Sequence, residues 1–295
     1  MARPTRLSIA KNDIRGHFDN SPKKVYSQKE IAAILAEQRS FWRLARSTTA
    51  KEFIRFLTEQ GSLKTLTFRS EAYAKELTRY SWGNASIYES AISLRKSGYF
   101  SHGTAVSLHQ LTDLIPRTIY LNVEQSSKPN GSGVLTQAGI NQAFSRKQRQ
   151  SNLSYAHDQW DVTIVSGKNT NRLGVQELIG PSSEHLPVTN LERTLIDIVV
   201  RPAYAGGIGQ VLQAYQRAKK DVSTNRLVAL LKKLNYVYPY HQAIGFLMER
   251  AGYKKTSYAL LQALGMNFDF YLVHGLQSPE FHPGWRLFYP KGLEA

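Results

Sequence analysis

The chain contains no cysteine, which excludes disulfide frameworks, cysteine-ligated zinc, iron–sulfur clusters and cysteine nucleophiles, and fits a cytoplasmic location. Long apolar runs are missing too. No stretch approaches the roughly 20 apolar residues of a membrane span, and the opening MARPTRLSIAKNDIRG lacks the uninterrupted apolar core of a signal peptide. Neither export nor a membrane partner is expected. Acidic residues are scarce: 22 Asp and Glu stand against 38 Lys and Arg, a formal net charge of +16. Polyanions are therefore the electrostatically favoured partners.

What is present is length and an uneven distribution of charge. With 295 residues, 42% of them hydrophobic, the chain is long enough for two domains. Residues 1–82 carry 16 Lys and Arg against 8 Asp and Glu, so half of the positive excess lies in little over a quarter of the chain. Residues 1–22 mix charges, Asn and two prolines without apolar periodicity, and read as a mobile basic arm.

Ser27-Gln28-Lys29-Glu30 is a capping box ahead of Ile31, Ile34 and Leu35, and predicts a helix. Thr49-Ala50-Lys51-Glu52 signals a second, followed by Phe53, Phe56 and Leu57 at core spacing and by Gly61 at the C-terminal cap. Between them Phe41–Leu44 is expected to form a short middle helix. Leu63–Phe68, a turn-like Arg69–Lys75 and Leu77–Trp82 predict a two-stranded wing. Three helices and a wing over 23–82 follow the order of a winged helix-turn-helix. The same capping boxes serve equally well as the first helices of a helical domain.

From residue 83 to 295 the texture changes to alternating short helices and strands, which predicts an α+β domain. Helices are expected over Ser86–Lys96, Ser101–Leu111 and Asn190–Val200, strands over Arg117–Val123 and Trp160–Val165, and a polar loop over Ser126–Gly133. Helices then dominate through Gly209–Lys219, Ser223–Leu234 and His241–Ala251, before two closing strands in Phe268–Val273 and Trp285–Tyr289.

Recognisable catalytic patterns are hard to find. Gly131-Ser132-Gly133 lacks the paired aspartates of a nucleotidyltransferase, and no Asp or Glu has Lys two positions on, as common metal-dependent nucleases require. Ser166-Gly167-Lys168-Asn169-Thr170 has Val162 where a phosphate-binding loop needs glycine, and reads as a strand-end turn. His102 and His109 would lie two helical turns apart, too far to share one metal without further ligands. Arg193 can reach Asp197 one turn along its helix, ordinarily a structural ion pair. No catalytic residue, metal or cofactor is expected.

Gly98-Tyr99-Phe100-Ser101-His102-Gly103-Thr104-Ala105-Val106-Ser107-Leu108-His109-Gln110-Leu111 resembles a signature of AbiEi-type antitoxins. A second block, Val188-Thr189-Asn190-Leu191-Glu192-Arg193-Thr194-Leu195-Ile196-Asp197, is similar to that family's Val-Thr-x-x-Glu-Arg-Thr-Leu-x-Asp helix. The resemblance spans about residues 20–275. It implies a cytoplasmic type IV antitoxin, linked to abortive phage infection, that represses its own promoter by binding double-stranded DNA and neutralises a neighbouring nucleotidyltransferase-like toxin. The implied fold class is α+β: an N-terminal winged helix-turn-helix, then a mixed α/β antitoxin domain with a helical C-terminal part. The charged arm, the Tyr236–Tyr240 run and the Trp285–Pro290 tail depart from shorter members.

On this reading helix Thr49–Gln60 enters the major groove, with Thr48 and Thr49 on phosphates and Lys51 and Arg55 facing bases. Arg69 in the wing and Arg43 or Arg46 grip the backbone. In the second domain Ser101, His102, Thr104, His109, Thr189, Glu192, Arg193 and Asp197 form the family's motif, serving either function or fold. Two other classes stay open: a stand-alone regulator whose second domain senses a ligand, and a nucleic-acid enzyme without recognisable motifs.

Overall fold

Each of three Ser/Thr-x-x-Glu tetrads starts a helix, because the hydroxyl takes the N3 amide and the glutamate returns to the cap amide. They are Ser27 with Glu30, Thr49 with Glu52, and Ser86 with Glu89. The computed structural model describes residues 4–127 and 134–293. Two compact units result, one running to Lys96 and taking in Leu153–Val162, the other comprising Ser97–Asn152 and the chain from Thr163 onward.

The first unit runs α1 (Arg6–Ile9), α2 (Lys11–Asp19), β1 (Val25–Tyr26), α3 (Gln28–Gln38), α4 (Ala50–Glu59), β2 (Leu63–Ser70), β3 (Lys75–Trp82) and α5 (Ile87–Ile92). The expected mobile arm is thus corrected. Ile14 and Phe18, one turn apart on α2, are fully buried, and Phe18 stacks on Trp82 with ring centroids 4.7 Å apart. Trp82 Nε1 donates to Asp19 at the end of the same helix (2.7 Å), and Lys11 Nζ donates to Gln60 just past α4 (2.7 Å).

The expected middle helix at Phe41–Leu44 is also corrected: the segment is a turn, with Arg43 left-handed at φ 52°. A left-handed non-glycine residue cannot continue an α-helix. Trp42 nevertheless packs on Phe53, centroids 5.6 Å apart. The hairpin β2–β3 is regular from Leu63↔Trp82 to Ser70↔Lys75, and β1 pairs with the free side of β3. On the other side of β2 lies the strand Ser154–His157, through Arg69↔Ala156; His157 stacks on Phe68 at 4.5 Å and bonds the Thr67 carbonyl (3.0 Å).

The second unit follows β4 (Tyr99–Phe100), α6 (His102–Leu108), β5 (Thr118–Glu124) and α7 (Gln137–Phe144). After the returning strand, β6, come β7 (Trp160–Gly167), of which Thr163–Gly167 belong to this unit, β8 (Val175–Ile179), β9 (His185–Thr189) and α8 (Leu191–Val200). Within this unit the strand order is β7-β5-β4-β9-β8, with β4 parallel to β9 and the hairpin β8–β9 antiparallel. The helices α9 (Ile208–Ala218), α10 (Thr224–Leu234), α11 (Tyr240–Arg250) and α12 (Lys255–Gln262) follow, closed by a small sheet of β10 (Phe270–Tyr271), β11 (Glu280–His282) and β12 (Leu287–Tyr289). The expected polar loop falls partly outside the described residues.

Helix α8 is the axis of this unit. Every residue from Glu192 to Val199 is buried, with α6, α9, α10 and α11 packed around it. A helix enclosed on all sides ordinarily carries apolar residues throughout; α8 carries two acids and an arginine, so each must find an internal partner. Among the described residues no helix is long and apolar enough to cross a membrane.

Candidate functional site

Two groups of residues stand out, one in each unit. In the first, α4 buries Phe53, Ile54 and Leu57 and leaves Lys51 and Arg55 exposed one turn apart on the opposite face. Arg55 pairs loosely with Glu59, at 3.9 Å with both side chains about two-thirds exposed, and feels the Glu52 charge one turn back, so it is easily released. The turn before α4 is more firmly fixed. Arg39 sends one guanidinium nitrogen to the Ala45 carbonyl (2.5 Å) and the other to that of Thr48 (3.0 Å). This clamp was invisible in the sequence because Arg39 lies outside any motif or periodic run.

The remaining residues expected at this surface are exposed or half-exposed, with different degrees of freedom. Arg43 and Arg46 are exposed on the turn, and Thr48 is half-buried. The Thr49 hydroxyl accepts from the Glu52 amide and donates to its carboxylate, so it is spent on the cap. Glu52 is held below the usual carboxylate range by the Thr49 amide and hydroxyl. A carboxylate therefore already occupies the N-terminus where a phosphate was expected, which leaves Lys51 and Arg55 as the available groups. On the hairpin Arg69 pairs across the strands with Glu76 at 3.1 Å.

In the second unit the motif residues gather around β4, α6, β9 and α8, and each has an internal task. The Ser101 hydroxyl and His102 Nδ1 lie 2.8 Å apart. Burial, reinforced by the positive charges of Arg201 and Arg193, pushes the His102 pKa down to about 3, so its ring is neutral. Thr104 accepts from the Tyr120 amide (2.7 Å), tying α6 to β5, and His109 Nε2 bonds the Thr189 carbonyl (2.7 Å). Thr189 and Thr194 share a hydroxyl contact of 2.8 Å. Glu192 accepts from the Ser223 amide (3.1 Å) and pairs with Arg226 (2.9 Å), fixing the start of α10.

Arg193 pairs with Asp197 through Nε at 2.7 Å and donates Nη1 to the Leu173 carbonyl (2.7 Å). Burial opposes the guanidinium charge, but the Asp197 carboxylate holds it charged; burial pushes the Asp197 carboxyl above its ordinary value against that pull. Beside this pair Glu124 closes the network. It accepts from Tyr99 Oη (3.1 Å), from the Arg172 amide (3.1 Å) and from both the amide and hydroxyl of Thr170. The motif reading missed Glu124; its position at the end of a β-strand facing a polar loop was the available signal.

The first unit thus offers an exposed basic surface, and the second a buried polar lattice. No protein-family model and no curated protein matches the chain. Among solved structures it is similar to the RV2827C protein from Mycobacterium tuberculosis, with a TM-score of 0.59 and 15% sequence identity over 97% of this chain and 93% of that one. At that identity the likeness is one of fold, a mixed α+β architecture.

Proposed function

We propose that the chain is an antitoxin-type repressor whose first unit, a winged helix, binds the promoter of its own operon through α4. The observation that carries the DNA reading is the element order of the first unit. Helix, short strand, two helices and a hairpin, with strands ordered β1-β3-β2, match a winged helix in which α2, α3 and α4 are the three helices. Helix α4 is then the recognition helix, and its solvent face carries Lys51 and Arg55. Arg39 fixes the turn through which that helix is presented, and Arg43, Arg46 and Arg69 supply phosphate contacts beside it.

For the second unit the reading is neutralisation of a neighbouring nucleotidyltransferase-like toxin, supported by the two motif blocks alone. Because those residues are internally bonded, they build the surface that acts rather than acting themselves. The test induces the adjacent gene in cells with and without this chain and with Lys51→Ala/Arg55→Ala. Rescue of growth by both forms, with loss of promoter repression only in the variant, is expected. A harmless neighbour, or no rescue by either form, overturns the antitoxin reading; repression intact in the variant overturns the assignment of α4.

A further inference from the structure

The second unit contains an open cleft of about 820 Å³, within the size range of small-molecule sites. Arg149, Lys168 and Arg201 line it, and its lining includes no acidic residue. None of these three forms an ion pair among the described residues, whereas Arg193, Arg217, Arg226 and Arg286 of the same unit each face a carboxylate. Three cations share a lining that holds no carboxylate, and only Arg201 has a counter-charge, Asp197, within electrostatic reach, so the arrangement is favoured when an anion is present.

Lys168 and Arg201 are also positioned. Lys168 Nζ donates to the carbonyls of Leu234 (2.8 Å) and Asn235 (2.7 Å) at the end of α10, where helix carbonyls favour a cation. An ammonium has three donors, so one is left for a ligand. Arg201 lies over the Tyr204 ring at 5.8 Å. Aromatic rings line the same cleft: Tyr236, with Lys168 Nζ 5.6 Å from its centroid, and Tyr238 are half-buried, and each packs edge-on to Tyr240, at 5.4 and 6.2 Å between ring centroids. Flat rings held by their neighbours beside fixed cations suit a planar base joined to phosphates.

We propose that this cleft binds a nucleoside polyphosphate, with its phosphates among Arg149, Lys168 and Arg201 and its base against the tyrosine wall. The site is independent of the DNA-binding and antitoxin readings. The Ser166–Thr170 segment lacks a phosphate-loop sequence yet delivers Lys168 to the cleft.

The test is calorimetric titration of the full chain with ATP, GTP, inorganic pyrophosphate and a single-stranded oligonucleotide. Two exposed positions avoid a folding defect: Arg149→Glu removes a cation, and Val237→Asp puts a carboxylate into the cleft. Lys255→Glu, outside the lining, makes the same charge change as Arg149→Glu. Saturable binding of ATP or GTP, tighter than pyrophosphate and weakened roughly tenfold or more by each cleft variant but not by Lys255→Glu, is expected. Absence of saturable nucleotide binding, equal weakening by Lys255→Glu, or indifference to both cleft variants would overturn the proposal. So would capture of the oligonucleotide at this cleft with the mononucleotides excluded.

Discussion

Arg193 and Asp197 stand one turn apart on α8, Nε to Oδ1 2.7 Å, each side chain only 5% exposed. A buried pair of this kind is weak evidence for net stability, but either member alone is an uncompensated charge. Arg193→Ala strands Asp197 and deprives the Leu173 carbonyl of its donor, so a loss of about 3–5 kcal/mol in urea unfolding is expected. Arg193→Met with Asp197→Leu should lose far less. Equal losses for the single and double variants would show that the network beyond the pair, rather than charge balance within it, sets the cost.

The neutral His102 makes stability depend on pH with a definite sign. Its pKa is about 3 in the folded chain against 6.5 ordinarily, so the unfolded chain binds more protons between those values. The stabilisation is fully present above about pH 6.5 and drains away as pH falls towards 3, at up to about 1.4 kcal/mol per pH unit. Burial also holds His241 and His274 down and adds slope of the same sign. The measurement is therefore a difference: His102→Asn, which tolerates the left-handed backbone at φ 51°, should flatten the pH dependence between 6.5 and 4.5. Parallel curves for wild type and variant would mean that the folded ring takes up its proton at the ordinary pKa.

Gly245 on α11 is required by contact rather than by backbone conformation. A Cβ there would lie 2.1 Å from two ring atoms of the fully buried Trp285. Alanine gains about 1 kcal/mol of helix propensity over glycine, but overpacking a closed core costs about 1–3 kcal/mol or more, and a clash this deep belongs at the upper end. Gly245→Ala should therefore lower the thermal midpoint. Gly209→Ala on α9, where the space is open, should be neutral or slightly stabilising. A raised midpoint for Gly245→Ala would mean that Trp285 does not sit on α11 as described.

What was legible in the sequence was local. The Ser27 and Thr49 capping boxes, the hairpin after Gly61 and the Asn190-led helix are encoded within a few residues, and the chain adopts them. Helix α2 was missed because its two buried residues, Ile14 and Phe18, sit among Asn, Asp and Gly16 with no second apolar turn to establish a period. Phe41–Leu44 misled for the opposite reason: Trp42 and Leu44 are core residues, but a turn delivers them. The hairpin Val175–Thr189 was hidden by Gly180, Pro181 and Pro187.

The sites divide along the same line. Lys51 and Arg55 follow from helical spacing once α4 is known. Burial of the motif residues does not follow, since hydroxyls, an imidazole and charges in sequence look alike whether they face solvent or one another. The cleft is furthest from legible, because Arg149, Lys168, Arg201 and the Tyr236–Tyr240 run are brought together only by the packing of the second unit.

If α4 reads DNA, its two basic residues should fail in different ways. Arg55 lies mid-helix, with a loose pair to the solvent-exposed Glu59 at 3.9 Å and the Glu52 charge one turn back, so turning it to a guanine edge forfeits little. Arg55→Ala should cost about 1–3 kcal/mol at the operator and little on unrelated duplex, measured by fluorescence anisotropy. Lys51 lies in the first turn of α4 beside the Thr49–Glu52 cap, where its ammonium, rather than the capped helix amides, is the group available to a backbone phosphate. Lys51→Ala should weaken both duplexes and reduce the slope of log affinity against log salt by about one. Glu59→Gln, which frees Arg55, should leave operator affinity equal or stronger. Unchanged operator binding by Arg55→Ala would remove α4 from the groove and transfer recognition to the hairpin.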